Sequence, residues 1–203
     1  MTDSKPKNYS FAKVLPWLLT IGGIIGIICS LVLTYDQIQI WKTPNYRPDC
    51  NLNPIVSCGS VINSGQGDVL GIPAPFFGLI AFGVLTTVGV ALLSGAKFKR
   101  WFWIGLEIGA IGGVASAFWL FLLSMYKVHA LCPFCLSVDV VVYTLFWYIS
   151  LHNLQAGHIK LPARCKGLQA FLVRHHLDIL LLWFLILFVW IMHHFWYFYG
   201  KYF

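Results

Sequence analysis

The stretch "HALCPFCLSVDVVVYTLFWYISL", residues 129–151, opens with two cysteines around a Pro-Phe pair and runs on as an apolar segment broken only by Asp139. From Leu131 to Leu151 it is long enough to cross about 30 Å of hydrocarbon, which takes roughly 20 apolar residues in a helix. A proline inside C-x-x-C fits the first turn of a helix, where its missing N–H costs little. Cys132 and Cys135 would then sit at a helix N-terminus, where free N–H groups and the helix dipole favour thiolate. Cys132, Cys135 and Asp139 are spaced i, i+3, i+7 and share one face. That face is expected to look into a bundle, because an ionisable group facing lipid costs about 2.5–3.5 kcal/mol or more.

The rest of the chain calls for the same solvent. Of its 203 residues, 59% are hydrophobic and 10% are charged; a soluble domain carries about 25% charged residues. The polar sequence is too sparse to coat a soluble fold, and mean hydropathy is +0.75. Charge-poor runs predict spans at about 14–35, 72–96, 101–126, 131–151 and 176–199. The first is longer than a signal peptide's apolar region and matches no clear cleavage site, so it reads as an anchor. The expected fold class is an all-α integral membrane protein. A four-helix transmembrane bundle would occupy residues 14–152, followed by a basic loop at 153–175 and a fifth transmembrane helix. The longest segment between spans, 36–71, is rich in proline and glycine, and "CGSVINSG" (58–65) predicts a short helix across the mouth of the bundle. Loops of this length usually carry function.

Charge sets the orientation. With a cytoplasmic N-terminus, Lys5, Lys7, Lys13, Lys97, Lys99, Arg100, Lys160, Arg164, Lys166 and Arg174 lie inside. Only Lys42, Arg47, Lys127 and Lys201 lie outside. This is the positive-inside bias, and it explains the net charge of +7 without any nucleic-acid partner. Trp17, Trp41, Trp101, Trp103, Trp196, Tyr197 and Tyr199 fall near span ends, as an interfacial belt requires.

Six cysteines divide under this topology. Cys29 is expected in the core and Cys165 in the basic loop. Cys50, Cys58, Cys132 and Cys135 all fall outside, in an oxidising compartment. The two pairs, C-x7-C and C-P-F-C, read as redox-active. The plainer readings are a static loop staple at Cys50 and Cys58, and a structural disulfide or zinc half-site at the second pair. Zinc would need four ligands, which the two pairs together could supply. A thioredoxin fold would need a βαβ context that is not seen. A redox pair touching the bilayer points instead to a lipid-soluble two-electron acceptor, a quinone.

At this point the chain resembles the vitamin K epoxide reductase family, in its bacterial disulfide-forming branch. The resemblance rests on "CNLNPIVSCGSVINSGQG" (50–67), "GIPAPFFGLIAFG" (71–83) and "CPFC" (132–135), taken in order. It implies a quinone (ubiquinone, menaquinone or a vitamin K-like ring) bound inside a four-helix bundle. It also implies electron flow from a thioredoxin-like dithiol protein to Cys50 and Cys58, then to Cys132 and Cys135, then to quinone. By matching position, Cys58 would exchange with Cys132, Cys135 would face the quinone, and Ser64 would assist the loop cysteines and the quinone. Animal members carry an asparagine at the head of the second helix and a tyrosine shortly after C-x-x-C; here Ala74 and Asp139 stand there. That departure favours simple quinone reduction over epoxide chemistry. Many bacterial members continue into a fused thioredoxin domain, so a chain ending at Phe203 is expected to use a separate partner. A bacterial inner membrane is the expected location.

Other residues keep two readings. Asp139 reads as a proton carrier beside the thiols, or as an acid satisfied by a buried hydrogen bond. His129, three residues before Cys132, reads as a thiolate partner or as an interfacial histidine. Glu107 is expected to pair internally or to reach the inner interface, and His193 and His194 to lie at the outer one. The rivals to a thiol oxidase are a vitamin K quinone or epoxide reductase, and a non-enzymatic scaffold with structural or zinc-binding cysteines.

Overall fold

The computed structural model describes residues 11–43, 46–51, 53, 55–63, 68–69, 72–158 and 166–196. Helix α1 (Phe11–Lys42) leads to a short helix α2 (Cys58–Asn63) and an antiparallel hairpin of β1 (Asp68–Val69) and β2 (Ile72–Pro73). Helix α3 (Ala74–Leu93) follows, and then α4 (Arg100–Leu123), which runs into a π-helical turn at Ser124–Val128. Helices α5 (Pro133–Gln155), α6 (Lys166–Arg174) and α7 (His176–His194) complete the order. Among the described residues, five helices are long and apolar enough to cross a membrane: α1, α3, α4 with its π turn, α5 and α7. This is the all-α membrane architecture that the composition demands.

Helix α1 is the centre of the bundle, packing along both α3 and α5, while α4 packs on α5. The α1–α3 seam depends on small residues. A Cβ on Gly23 would collide with Thr86 Oγ1, and one on Gly89 would lie 2.7 Å from the backbone nitrogen of Thr20. Such close backbone approach is how helices associate where lipid removes the hydrophobic drive. Leu15, Leu19, Val88, Trp103, Leu145 and Ile149 form the main core. A second cluster at the cysteine-bearing end joins Ile55 to Phe121, Met125, Leu131 and Phe195. The rest of the apolar surface faces outward, most clearly on α7, where Leu181 is 66% exposed. In water so large an apolar face would be a liability; in lipid it is the solvated surface.

Two helix starts explain themselves locally. Pro73 caps α3 in an extended conformation, and Cys132 caps α5, with Pro133 in its first turn. The fourth span therefore begins at Pro133 rather than Leu131, and it continues to Gln155. Helix α1 also outruns its charge-free stretch, passing Asp36 and ending at Lys42. Asp36 is buried in that extension, where Tyr46 Oη donates to its Oδ1 at 3.0 Å.

Glu107 pairs internally. It is buried, accepts from Ser150 Oγ at 2.5 Å, and accepts from Asn153 Nδ2 at 2.9 Å. The same amide donates to the Trp103 carbonyl at 3.2 Å. Helix α7 is tied at both ends: Trp147 Nε1 donates to the His176 carbonyl at 3.0 Å, and Trp190 Nε1 donates to Tyr126 Oη at 3.1 Å.

Candidate active site at the mouth of the bundle

The loop before α3 is built to hold Cys58 still. Ser57 Oγ accepts from the Ser60 backbone N–H at 3.1 Å, the bond of a helix N-cap. Ser57 Oγ donates in turn to Asn51 Oδ1 at 3.0 Å, and Gly59 N–H donates to the same oxygen at 2.9 Å. A Cβ on Gly59 would lie 2.8 Å from Asn51 Nδ2 and 3.2 Å from Pro48, so the residue after Cys58 is held to glycine by close approach. Asn53 Oδ1 accepts from Ile55 and Val56 N–H at 3.0 and 2.7 Å, closing the turn ahead of the helix.

This loop is stitched to the start of α5 by a short parallel bridge between Val56 and Leu131. Leu131 N–H donates to the Ile55 carbonyl at 2.6 Å, and Ser57 N–H donates to the Leu131 carbonyl at 3.0 Å. Leu131 of the bridge and Ser57, which hydrogen-bonds to it, each directly precede a cysteine. The bridge therefore fixes the register of Cys58 against Cys132.

The four cysteines meet as a result. Cys50 and Cys58 form a disulfide with an S–S distance of 2.04 Å. Cys132 Sγ lies 3.3 Å from Cys58 Sγ. Cys132 and Cys135 are free thiols, and the Cys135 backbone N–H donates to Cys132 Sγ at 3.3 Å. A cysteine thus occupies the capping role usually given to serine or aspartate. Hydrogen bonding from Cys135 holds the Cys132 thiol below its ordinary value, against the opposing effect of burial. Cys58 and Cys132 are buried, at 0% and 2% exposure, while Cys50 is half-buried. The arrangement suits thiol–disulfide exchange, in which a thiolate attacks one disulfide sulfur and expels the other. Attack by Cys132 on Cys58 would release Cys50, the sulfur nearer the surface.

The remaining candidates are placed as follows. Asp139 lies one turn beyond Cys135 on α5 and is half-buried. Ala74 is the first residue of α3. Cys29 is buried in α1, within electrostatic reach of Cys132. His129 takes a left-handed conformation (φ 54°) that ends the π turn. It is exposed, and its ring centroid lies 6.1 Å from that of His194. His194 Nε2 lies 2.9 Å from the Met125 carbonyl oxygen. Ser64 and Cys165 lie outside the described residues.

Sequence reasoning missed three features. Asn51 scaffolds α2, and its only local signal is an asparagine beside a cysteine. Asp36 and Tyr46 pair between helix and loop, and the phenol of Tyr46 is pushed up to about 12, chiefly by its hydrogen bond to Asp36. Tyr143, one further turn along α5 from Asp139, is buried with a hydroxyl that has no partner among the described residues.

The sequence profile of the Vitamin K epoxide reductase family matches residues 17–150, more than half of the chain. The chain is also 30% identical over 121 residues to thiol-disulfide oxidoreductase LTO1 of Arabidopsis thaliana. That match covers 56% of this chain and 30% of the plant protein's length.

Proposed function

The chain belongs to the vitamin K epoxide reductase family, and from that premise we propose that it is a membrane thiol oxidase. It takes electrons from a thioredoxin-like dithiol protein and passes them through two cysteine pairs to a quinone, supporting disulfide formation outside the cytoplasm. The observation that carries this reading is the 3.3 Å approach of Cys132 Sγ to Cys58 Sγ. A static staple has no need of a buried free thiol held against it.

The transfers balance as exchanges. A partner dithiol attacks the Cys50–Cys58 disulfide at half-buried Cys50. The partner leaves as a disulfide, and Cys50 and Cys58 remain as thiols. Cys58 then attacks Cys132 of an oxidised Cys132–Cys135 pair, Cys50 closes back on Cys58, and the two electrons now reside on Cys132 and Cys135. A loop disulfide beside free Cys132 and Cys135 thiols corresponds to this stage. When Cys132 and Cys135 re-form their disulfide, two electrons and two protons leave the pair. A bound quinone supplies the acceptor for both.

The residues present fit such a ring. Cys135 and Asp139 are half-buried on α5, and Tyr143, one turn further along, is buried with a hydroxyl that has no partner among the described residues. Cys135, Ala74, Asp139 and Ser64 would line the site, with Asp139 moving a proton between thiol and ring oxygen. The Ala74 and Asp139 side chains favour quinone over epoxide reduction.

The test is anaerobic mixing of purified protein, a reduced thioredoxin-like dithiol protein and a soluble quinone, followed by absorbance. Wild-type protein should bleach the quinone with one disulfide formed per quinone consumed. Cys135→Ala should abolish bleaching, and Asp139→Asn should slow it by about 10²-fold, the low end for loss of a general acid or base. No bleaching by the wild type would sink the reading.

A further inference from the structure

We propose that Tyr143 is a quinone-contacting residue whose hydroxyl donates a hydrogen bond to a ring carbonyl oxygen; the inference rests on the quinone reading above. Tyr143 is 5% exposed, yet its Oη has no hydrogen-bond partner among the described residues. A buried hydroxyl without a partner is costly, and native structures rarely leave one so unless a bound molecule satisfies it. The ring itself is well placed, packing edge-on against Trp183 of α7 with centroids 5.8 Å apart. The orphaned group is therefore the hydroxyl alone, on a side chain that is otherwise fixed.

Its position matches the chemistry. Cys135, Asp139 and Tyr143 are spaced i, i+4, i+8 along α5, one ridge of the helix. Eight residues rise about 12 Å. Helical side chains lean toward the N-terminus, so Tyr143 covers the turn above its own Cα. Its hydroxyl is thus directed back toward Asp139 and Cys135. A ring presented to Cys135 at one edge would bring its far carbonyl toward that hydroxyl. Among the described residues two other buried side-chain polar atoms lack partners, and neither serves this role. Thr34 Oγ1 lies on α1, outside the ridge, and Asn153 Oδ1 is an acceptor at the opposite end of α5.

The test is Tyr143→Phe, which removes one oxygen and keeps the ring against Trp183. Two quantities are measured on quinone-depleted protein in detergent: the Kd for a soluble ubiquinone analogue, read by Trp fluorescence quenching, and the Tm. The expected result is a Kd weakened by about tenfold, the loss of one net hydrogen bond, with an unchanged or higher Tm because an unsatisfied hydroxyl has gone. An unchanged Kd in Tyr143→Phe, with wild-type binding intact, overturns the assignment while leaving the quinone reading in place; a buried water is then the hydroxyl's partner. A lowered Tm with unchanged Kd also overturns it, marking a structural bond. If wild-type protein binds no quinone, both readings fall together.

Discussion

Ser57 and Leu131 are joined by a backbone hydrogen bond of 3.0 Å, and each is followed by a cysteine whose sulfur lies 3.3 Å from the other's. A two-residue parallel bridge thus does for this site what a rigid scaffold does in a larger enzyme. It removes the search that two flexible thiols would otherwise make. In the proposed exchange, the 3.3 Å approach of the two sulfurs follows from this backbone pairing.

Asn51 is the residue that makes the loop rigid enough to be held. Asn51→Ala removes the acceptor shared by Gly59 N–H and Ser57 Oγ. Leaving partly buried donors unmet costs about 1–3 kcal/mol. The expected outcome is slower electron transfer from loop pair to C-x-x-C pair, with quinone affinity unchanged. Rapid-quench alkylation, which counts thiols at each pair over time, checks it.

Much of this was legible in the sequence, and the reasons are physical. Charge-free runs mark spans because lipid penalises charge residue by residue, and a C-P-F-C at a helix start needs only local rules. The helix over Cys58–Asn63 follows from its cap. What sequence did not disclose lies in pairings across distance. The extension of α1 through Asp36 needs Tyr46, ten residues on. The capture of Glu107 needs Ser150 and Asn153 from another helix. The Val56–Leu131 bridge joins segments with no shared pattern at all.

The Asp36–Tyr46 bond makes a prediction about pH. The neutral phenol is the donor, and its folded value stands at about 12 against an ordinary 10.0. A raised folded value means stability that is complete below pH 10 and lost as pH rises through about 12. Spectrophotometric titrations of the wild type and Tyr46→Phe should differ by one tyrosine that ionises near pH 12 rather than near pH 10. A difference in which the lost tyrosine ionises near pH 10 would show the bond to be absent.

Glu107 tests the opposite end of the bundle. Glu107→Ala strands Ser150 Oγ and one of the two N–H groups of Asn153 Nδ2, the other keeping the Trp103 carbonyl, each lost bond costing about 1–3 kcal/mol. The Tm in detergent should fall clearly. Thiol exchange and quinone bleaching by the folded fraction should stay at the wild-type rate, because the network sits in the last turns of α5, away from Cys135. A selective loss of bleaching at unchanged Tm would assign Glu107 to catalysis instead.

The central claim is that electrons cross between the pairs at Cys58 and Cys132. The direct measurement is disulfide mapping, by non-reducing digestion and mass spectrometry, of a Cys50→Ala, Cys135→Ala double variant after mild oxidation. With both resolving thiols gone, the account predicts a Cys58–Cys132 cross-linked peptide as the dominant product. Recovery of Cys58 and Cys132 as separate alkylated thiols, under oxidation that closes both pairs in the wild type, would contradict it.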